Sequence, residues 1–330
     1  MKRIRRCWRA WVAIIDRCEA GDALALMRIA MGLAVVQTMV TTVWAGVVPV
    51  LWYDVADGGM VLVRHESWLV ELLGGATPAL VWTLVVLSLV GGLCVTVGLG
   101  GRIAPLVTAQ AMLALRGIYA SQGAYGAIIA NGLWLLVLAD ATRTLSLDCR
   151  LRTGRWTDDT PVPAWPKLVG VIQLALIYFS AGVHKLSATW LPGGDMSALY
   201  YILQQPNWQR YEMSWIASVY PLTQIGTVLT WFLEIAWPVL LVAALYRAPA
   251  RRERLLGRFF SRFDPRKLFM PLGIVLHLGV AIAMDVGPFF LATIAFYPCY
   301  FASTELRAMG ARLAKVAIKH RGSSGLPDER

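Results

Sequence analysis

Eight long, mostly apolar stretches divide this chain: residues 24–45, 80–99, 103–120, 124–141, 166–186, 222–246, 268–286 and 289–304. A run of roughly eighteen or more apolar residues is long enough to cross the hydrocarbon core of a bilayer as a helix. A soluble domain of this length would carry about 25% charged residues; here 15% are charged and 57% are hydrophobic. Mean hydropathy is +0.57. The sequence specifies an all-α fold, a polytopic integral membrane bundle of about eight transmembrane helices.

Charge in the connections sets the expected orientation. Lys and Arg gather in the N-terminus, the 100–102 turn, the 143–167 and 247–267 loops and the tail. Few occur in the alternate connections 46–78, 121–123, 187–221 and 285–288. By the positive-inside tendency, eight spans then place both termini in the cytoplasm of a multi-pass cell (inner) membrane protein. The net charge of +11 has this topological cause, since no folded basic domain or binding motif points to nucleic acid.

Residues 1–20 do not read as a cleavable signal peptide. Ile4, Trp8, Trp11, Val12 and Ile15 recur at helical spacing, with Arg5, Arg6, Arg9 and Arg17 elsewhere around the helix. This predicts an amphipathic helix on an anionic membrane surface. Residues 21–304 form the transmembrane domain and 305–330 a basic cytoplasmic tail whose GSSGLPDER end reads as disordered. Arg28, close to the start of the first span, reads as a snorkelling side chain. The five cysteines show no CxxC and no Cys/His spacing, and HxxxH is absent, so no metal site is expected.

The most informative segment is YFSAGVHKLSATW, Tyr178 to Trp190. An apolar helix ends there in two adjacent ionisable residues, His184 and Lys185, followed by Trp190 and a Pro-Gly-Gly turn. Ionisable residues in a bilayer segment are costly and point to function, although a terminal lysine also serves as a headgroup anchor. The following residues, 187–221, are crowded with Trp190, Tyr200, Tyr201, Trp208, Tyr211, Trp215 and Tyr220. They suit an interfacial aromatic belt, a lid over a site, or both.

Other polar residues fall at compatible depths: Arg116 and Asp285 near the same membrane face, Glu234 and His277 mid-span. They permit a polar pocket open to the outside. They equally permit interhelical hydrogen bonds that hold the bundle together, with Glu234 and His277 as one such pair.

Ala181 to Met196, AGVHKLSATW followed by LPGGDM, resembles the AGVxKLxAxWxxGxxM segment of the vitamin K-dependent gamma-carboxylase relatives. His277, nine residues and then Gly287-Pro288-Phe289 resembles the HxxxxxxxxxGxF stretch of those proteins. Leu26 to Leu33, LMRIAMGL, and Ser146 to Asp148, SLD, resemble the broader HTTM family, the horizontally transferred transmembrane domain, which includes proteins similar to maturation factors of sporulation-delaying peptides.

The resemblance implies a membrane-embedded enzyme acting at the extracytoplasmic face on an exported peptide or protein. Its cofactor would be reduced vitamin K or menaquinone, used with O2 and CO2 in quinol epoxidation and glutamate carboxylation. Lys185 would be the base, with His277 and Glu234 as supporting catalytic groups and His184, Trp190, Arg116 and Asp285 around the quinone or substrate. Desolvation disfavours the charged form of an amine, which makes such a base physically coherent. The sequence departs from the carboxylases in having His184 where they tend to have a second lysine. The residues after 304 are also too few for their large lumenal domain. Two other functions fit the residues: a non-catalytic maturation or assembly factor for a secreted peptide or a partner membrane protein, and a lipid or quinone carrier.

Overall fold

The computed structural model describes residues 2–60, 67–119, 123–246 and 253–323. Arg64, His65 and Glu66, the Ser121-Gln122 link, Arg247, Arg251 and Arg252, and the last seven residues lie outside the described residues. All eight apolar stretches contain helix. Five helical segments are long and apolar enough to cross a membrane: α2 (Asp22–Trp44), α5 (Pro78–Val97), α9 (Trp165–Val183), the segment Ser214–Tyr246, and α14 (Arg266–Ala283). The third and fourth stretches form shorter helices, α6 (Ile103–Ile118) and α7 (Gly123–Leu138). The eighth breaks into α15 (Phe289–Ile294) and a 3-10 turn, Tyr297–Tyr300, ending before the expected residue 304. Pro298 explains the break, because proline has no amide hydrogen to continue a helical ladder.

Shorter elements fill the connections. α3 (Val48–Trp52) and α4 (Trp68–Leu72) lie between α2 and α5, and α8 (Leu147–Thr153) lies between α7 and α9. α10 (Ala198–Leu203) sits in the aromatic segment, and Ser214–Tyr246 contains α11 (Tyr220–Ala236) and α12 (Pro238–Tyr246). The 247–267 connection is partly helical, with α13 at Leu255–Arg262. α1 (Lys2–Ile15) and α16 (Ser303–Ser323) stand at the two ends of the chain. A two-residue antiparallel pairing, Cys18–Glu19 with Val162–Pro163, departs from the all-α expectation. Pro161 and Pro163 keep that lead extended, so its backbone groups pair across to the chain entering α2, and Pro166 falls in the first turn of α9, where a proline is tolerated.

Arg28 corrects the snorkelling expectation. Its side chain is buried, and its guanidinium donates to the carbonyls of Val95 (2.5 Å), Thr96 (2.8 Å), Ala141 (3.1 Å) and Leu145 (2.6 Å). Those carbonyls are at the end of α5 and between α7 and α8, where helix termini leave acceptors without partners. The planar fork of arginine satisfies several of them at once. Nearby, the Asp148 carboxylate accepts from the Gly100 and Gly101 amides at 3.1 and 2.7 Å. The LMRIAMGL and SLD stretches therefore meet at one turn.

Further contacts gather the same end of the bundle. Arg307 on α16 forks onto Asp22 at 2.9 Å through Nε and Nη2, and its Nη1 reaches Asp159 at 2.6 Å. Lys167 pairs with Glu19 at 2.6 Å, and Arg266 pairs with Asp264 and Glu305. The basic connections named in the sequence thus share one end, and the chain leaving α9 at Lys185 points away from it.

Candidate functional site

α9 ends at Val183, with His184 as its C-terminal cap. The backbone amide of Lys185 donates to the carbonyl of Gly182 at 3.1 Å, which folds the chain back over the helix end. Gly182 also lets α9 approach α11 closely: a Cβ there would stand 2.9 Å from the backbone nitrogen of Ile235. Glu234, the neighbour of Ile235, is thereby brought beside Lys185.

The two side chains form an ion pair, with Lys185 Nζ 2.7 Å from Glu234 Oε1 and 2.5 Å from Oε2. The lysine side chain is 22% exposed and the carboxylate 12%. The Trp190 ring lies 5.0 Å from Nζ, within cation–π range. From Tyr220 to Glu234, α11 runs on for about 21 Å beyond this contact. That outer part of α11 is clothed by the aromatic segment: Thr227 Oγ1 accepts from the Leu199 amide at 3.1 Å, and Gln224 donates to the Asp195 carbonyl at 2.8 Å. Lys185 therefore lies about 21 Å along α11 from that helix's N-terminal end.

The expected Glu234–His277 pair does not form. Glu234 bonds to Lys185, and His277 turns instead to α9, where its Nε2 shares a hydrogen bond with the Tyr178 hydroxyl. Tyr178 Oη also bonds Tyr297 Oη at 3.0 Å. Its ring stacks on Trp237 with centroids 4.0 Å apart and planes inclined by 6°. Trp237 Nε1 donates to Tyr300 Oη at 3.0 Å, and Tyr300 donates to the Val171 carbonyl at 3.2 Å. The reason is position along the chain: Tyr178 lies within α9 and meets His277 on α14, whereas Lys185 follows the end of that helix and meets Glu234 on α11.

His277 is 5% exposed, and its ring meets Phe289 edge-on at 5.1 Å. The histidine and the phenylalanine of the HxxxxxxxxxGxF stretch are thus in contact. Gly273, one turn before His277, makes room for the aromatic group: a Cβ there would lie 2.2 Å from Tyr297 Oη.

The remaining expected site residues divide between two places. His184 is exposed, with Nδ1 donating to the Ser180 carbonyl at 2.7 Å, beside the ion pair but outside it. Arg116 ends α6, and Asp285 faces Arg210 at 3.6 Å with 75% of its side chain exposed. Both lie within electrostatic range of Tyr125, forming a second locus that none of the described bonds joins to Lys185.

Tyr178, Trp237, Tyr297 and Tyr300 were missed as site residues because aromatic side chains in apolar helices look like core. Tyr178 alone had a signal, since it opens the YFSAGVHKLSATW stretch. No group of three or more His, Cys, Asp or Glu side chains suited to a metal occurs among the described residues. Chemically, the site can hold and shift a proton at Lys185 Nζ and the Glu234 carboxylate.

No curated protein and no solved structure matches the chain. The model of the HTTM domain matches residues 17–250, a stretch that includes Arg28, Asp148, Tyr178, Lys185 and Glu234 and stops short of His277. That match covers more than half of the 330 residues, and the chain belongs to the HTTM family.

Proposed function

We propose that this membrane protein is a carboxylase-type enzyme in which Lys185 and Glu234 together are the base that accepts a proton from a reduced quinone. The observation that carries this reading is the ion pair itself, a half-buried amine and carboxylate between α9 and α11 within the family-matched residues. The residues fit such a cofactor. Trp231 Nε1, one helical turn before Glu234, is buried without a hydrogen-bond partner among the described residues and can donate to a ring oxygen. Leu229 and Phe232, each half exposed on the opposite side of α11, keep that helix against the lipid.

When bound, a reduced quinone supplies, with O2, a base strong enough to remove a glutamate γ-proton before CO2 adds. The protein's own part is proton transfer. A proton moves within the pair from Nζ to a Glu234 oxygen, leaving a neutral amine, and that amine takes the donor's hydroxyl proton. The pair gains one proton and one positive charge; the donor keeps the bonding electrons. Trp190 shields the pair from bulk water on one side.

By the loop-charge pattern, the Lys185 end faces the outside of the cell membrane, where exported peptides or proteins are the available substrates. Lys185→Arg tests the assignment, since arginine keeps the charge but does not release its proton near neutral pH. Loss of activity in that variant supports base chemistry. Full activity would overturn it and leave the non-catalytic maturation factor as the reading.

A further inference from the structure

α13, Leu255–Arg262, follows one membrane helix segment and precedes another, at the end of the bundle opposite Lys185. It packs against α12, and its Gly257 and Phe260 are buried. On the next arc of the helix, Leu255 (79%), Phe259 (54%) and Phe263 (51%) are exposed. Arg258 and Arg262, both exposed, flank that arc on its far side. Phe259 and Phe263 stand 5.9 Å apart and, with Arg262, line an open groove of about 430 Å³.

We propose that this groove and the arginines beside it form a binding site for a phospholipid with a net negative charge. An acyl chain lies between Phe259 and Phe263, and Arg262 holds the phosphate, with Arg258 one turn away for a second headgroup oxygen. Charge complementarity selects the occupant: phenyl groups in an in-plane helix suit the boundary between headgroups and acyl chains, and arginine forks suit phosphate. The acidic neighbour Asp264 is engaged by Arg266, as is Glu305. α1, at the same end, repeats the pattern with exposed Ile4, Trp8 and Trp11 beside Arg5 and Arg9. Two helices of this kind mark that end as a lipid interface. The site is independent of the chemistry assigned to Lys185.

The test uses the full chain in nanodiscs of phosphatidylcholine with a minor fraction of phosphatidylglycerol. Lipid retained after transfer to mild detergent is measured by native mass spectrometry. The wild type should retain phosphatidylglycerol in preference to phosphatidylcholine. Each arginine removed, Arg258→Gln or Arg262→Gln, should lower that preference about fivefold, and lysine at both positions should restore it. Phe259→Ser should reduce retention of phosphatidylglycerol without making phosphatidylcholine preferred. Unchanged preference in the double glutamine variant, with an unaltered unfolding temperature in phosphatidylcholine alone, would overturn the proposal. So would equal displacement of the lipid by inorganic phosphate, or occupation of the face by a soluble protein instead of lipid.

Discussion

Lys185 and Glu234 belong to segments separated by the whole aromatic region, yet Nζ lies 2.7 and 2.5 Å from the two carboxylate oxygens. Each is the other's principal charged partner, and both are mostly shielded from water. Removing one member of such a pair leaves a stranded charge, whereas removing both leaves none. Glu234→Gln should therefore destabilise the protein by about 2–4 kcal/mol. The double variant Lys185→Met/Glu234→Gln should recover a good part of that loss. A double-mutant cycle on thermal unfolding in detergent reads the coupling; simple additivity would contradict the pair.

Tyr178 joins His277 to Tyr297 through one hydroxyl. Tyr178→Phe keeps the ring stacked on Trp237 but leaves two buried groups short of a partner. The expected cost is about 1–3 kcal/mol, read as a lower unfolding midpoint. Tyr297→Phe removes only the outer link and should cost less.

Arg28 offers the sharpest structural test, because it satisfies four backbone carbonyls from two segments. Arg28→Leu should abolish stable folding, seen as loss of monodisperse protein on size-exclusion chromatography. Arg28→Lys should rescue it only partly, since a lysine lacks the planar fork. A snorkelling arginine would tolerate lysine freely.

Gly182 sets the distance between α9 and α11. Adding a methyl there forces a contact at 2.9 Å with the backbone of Ile235, which nothing but movement of a helix relieves. A displacement of about 1 Å at a reacting group costs on the order of a hundredfold in rate. Gly182→Ala should thus lower activity far more than Gly279→Ala, whose added methyl meets nothing within 4 Å. Steady-state rates of the two variants, side by side, give the comparison.

Much of this architecture was readable from the chain because lipid imposes long apolar runs, and these mark helices plainly. The eight runs, the basic connections and the stretch around Lys185 all stood out for that reason. What could not be read was which polar residue meets which. Glu234 and His277 occupy similar depths, and depth alone suggested that they pair. Position along the chain decided otherwise: Lys185, just past the end of α9, takes Glu234, and Tyr178, inside that helix, takes His277. Arg28 looked like an anchor because its position in the sequence shows nothing of the carbonyls at the end of α5 and after α7. Residues 255–262 were absorbed into a basic loop, since eight residues give too short a period to stand out among so many arginines.

The central claim is that the Lys185–Glu234 pair accepts a proton from a reduced quinone, and epoxide formation tests it most directly. The purified protein in lipid nanodiscs is supplied with reduced menaquinone or vitamin K, O2 and bicarbonate, and the epoxide is followed by mass spectrometry. Epoxide that forms with the wild type and is lost in Lys185→Ala, with the fold intact, is the predicted result. No epoxide from a folded protein that binds the quinol, or equal epoxide from Lys185→Ala, would contradict it.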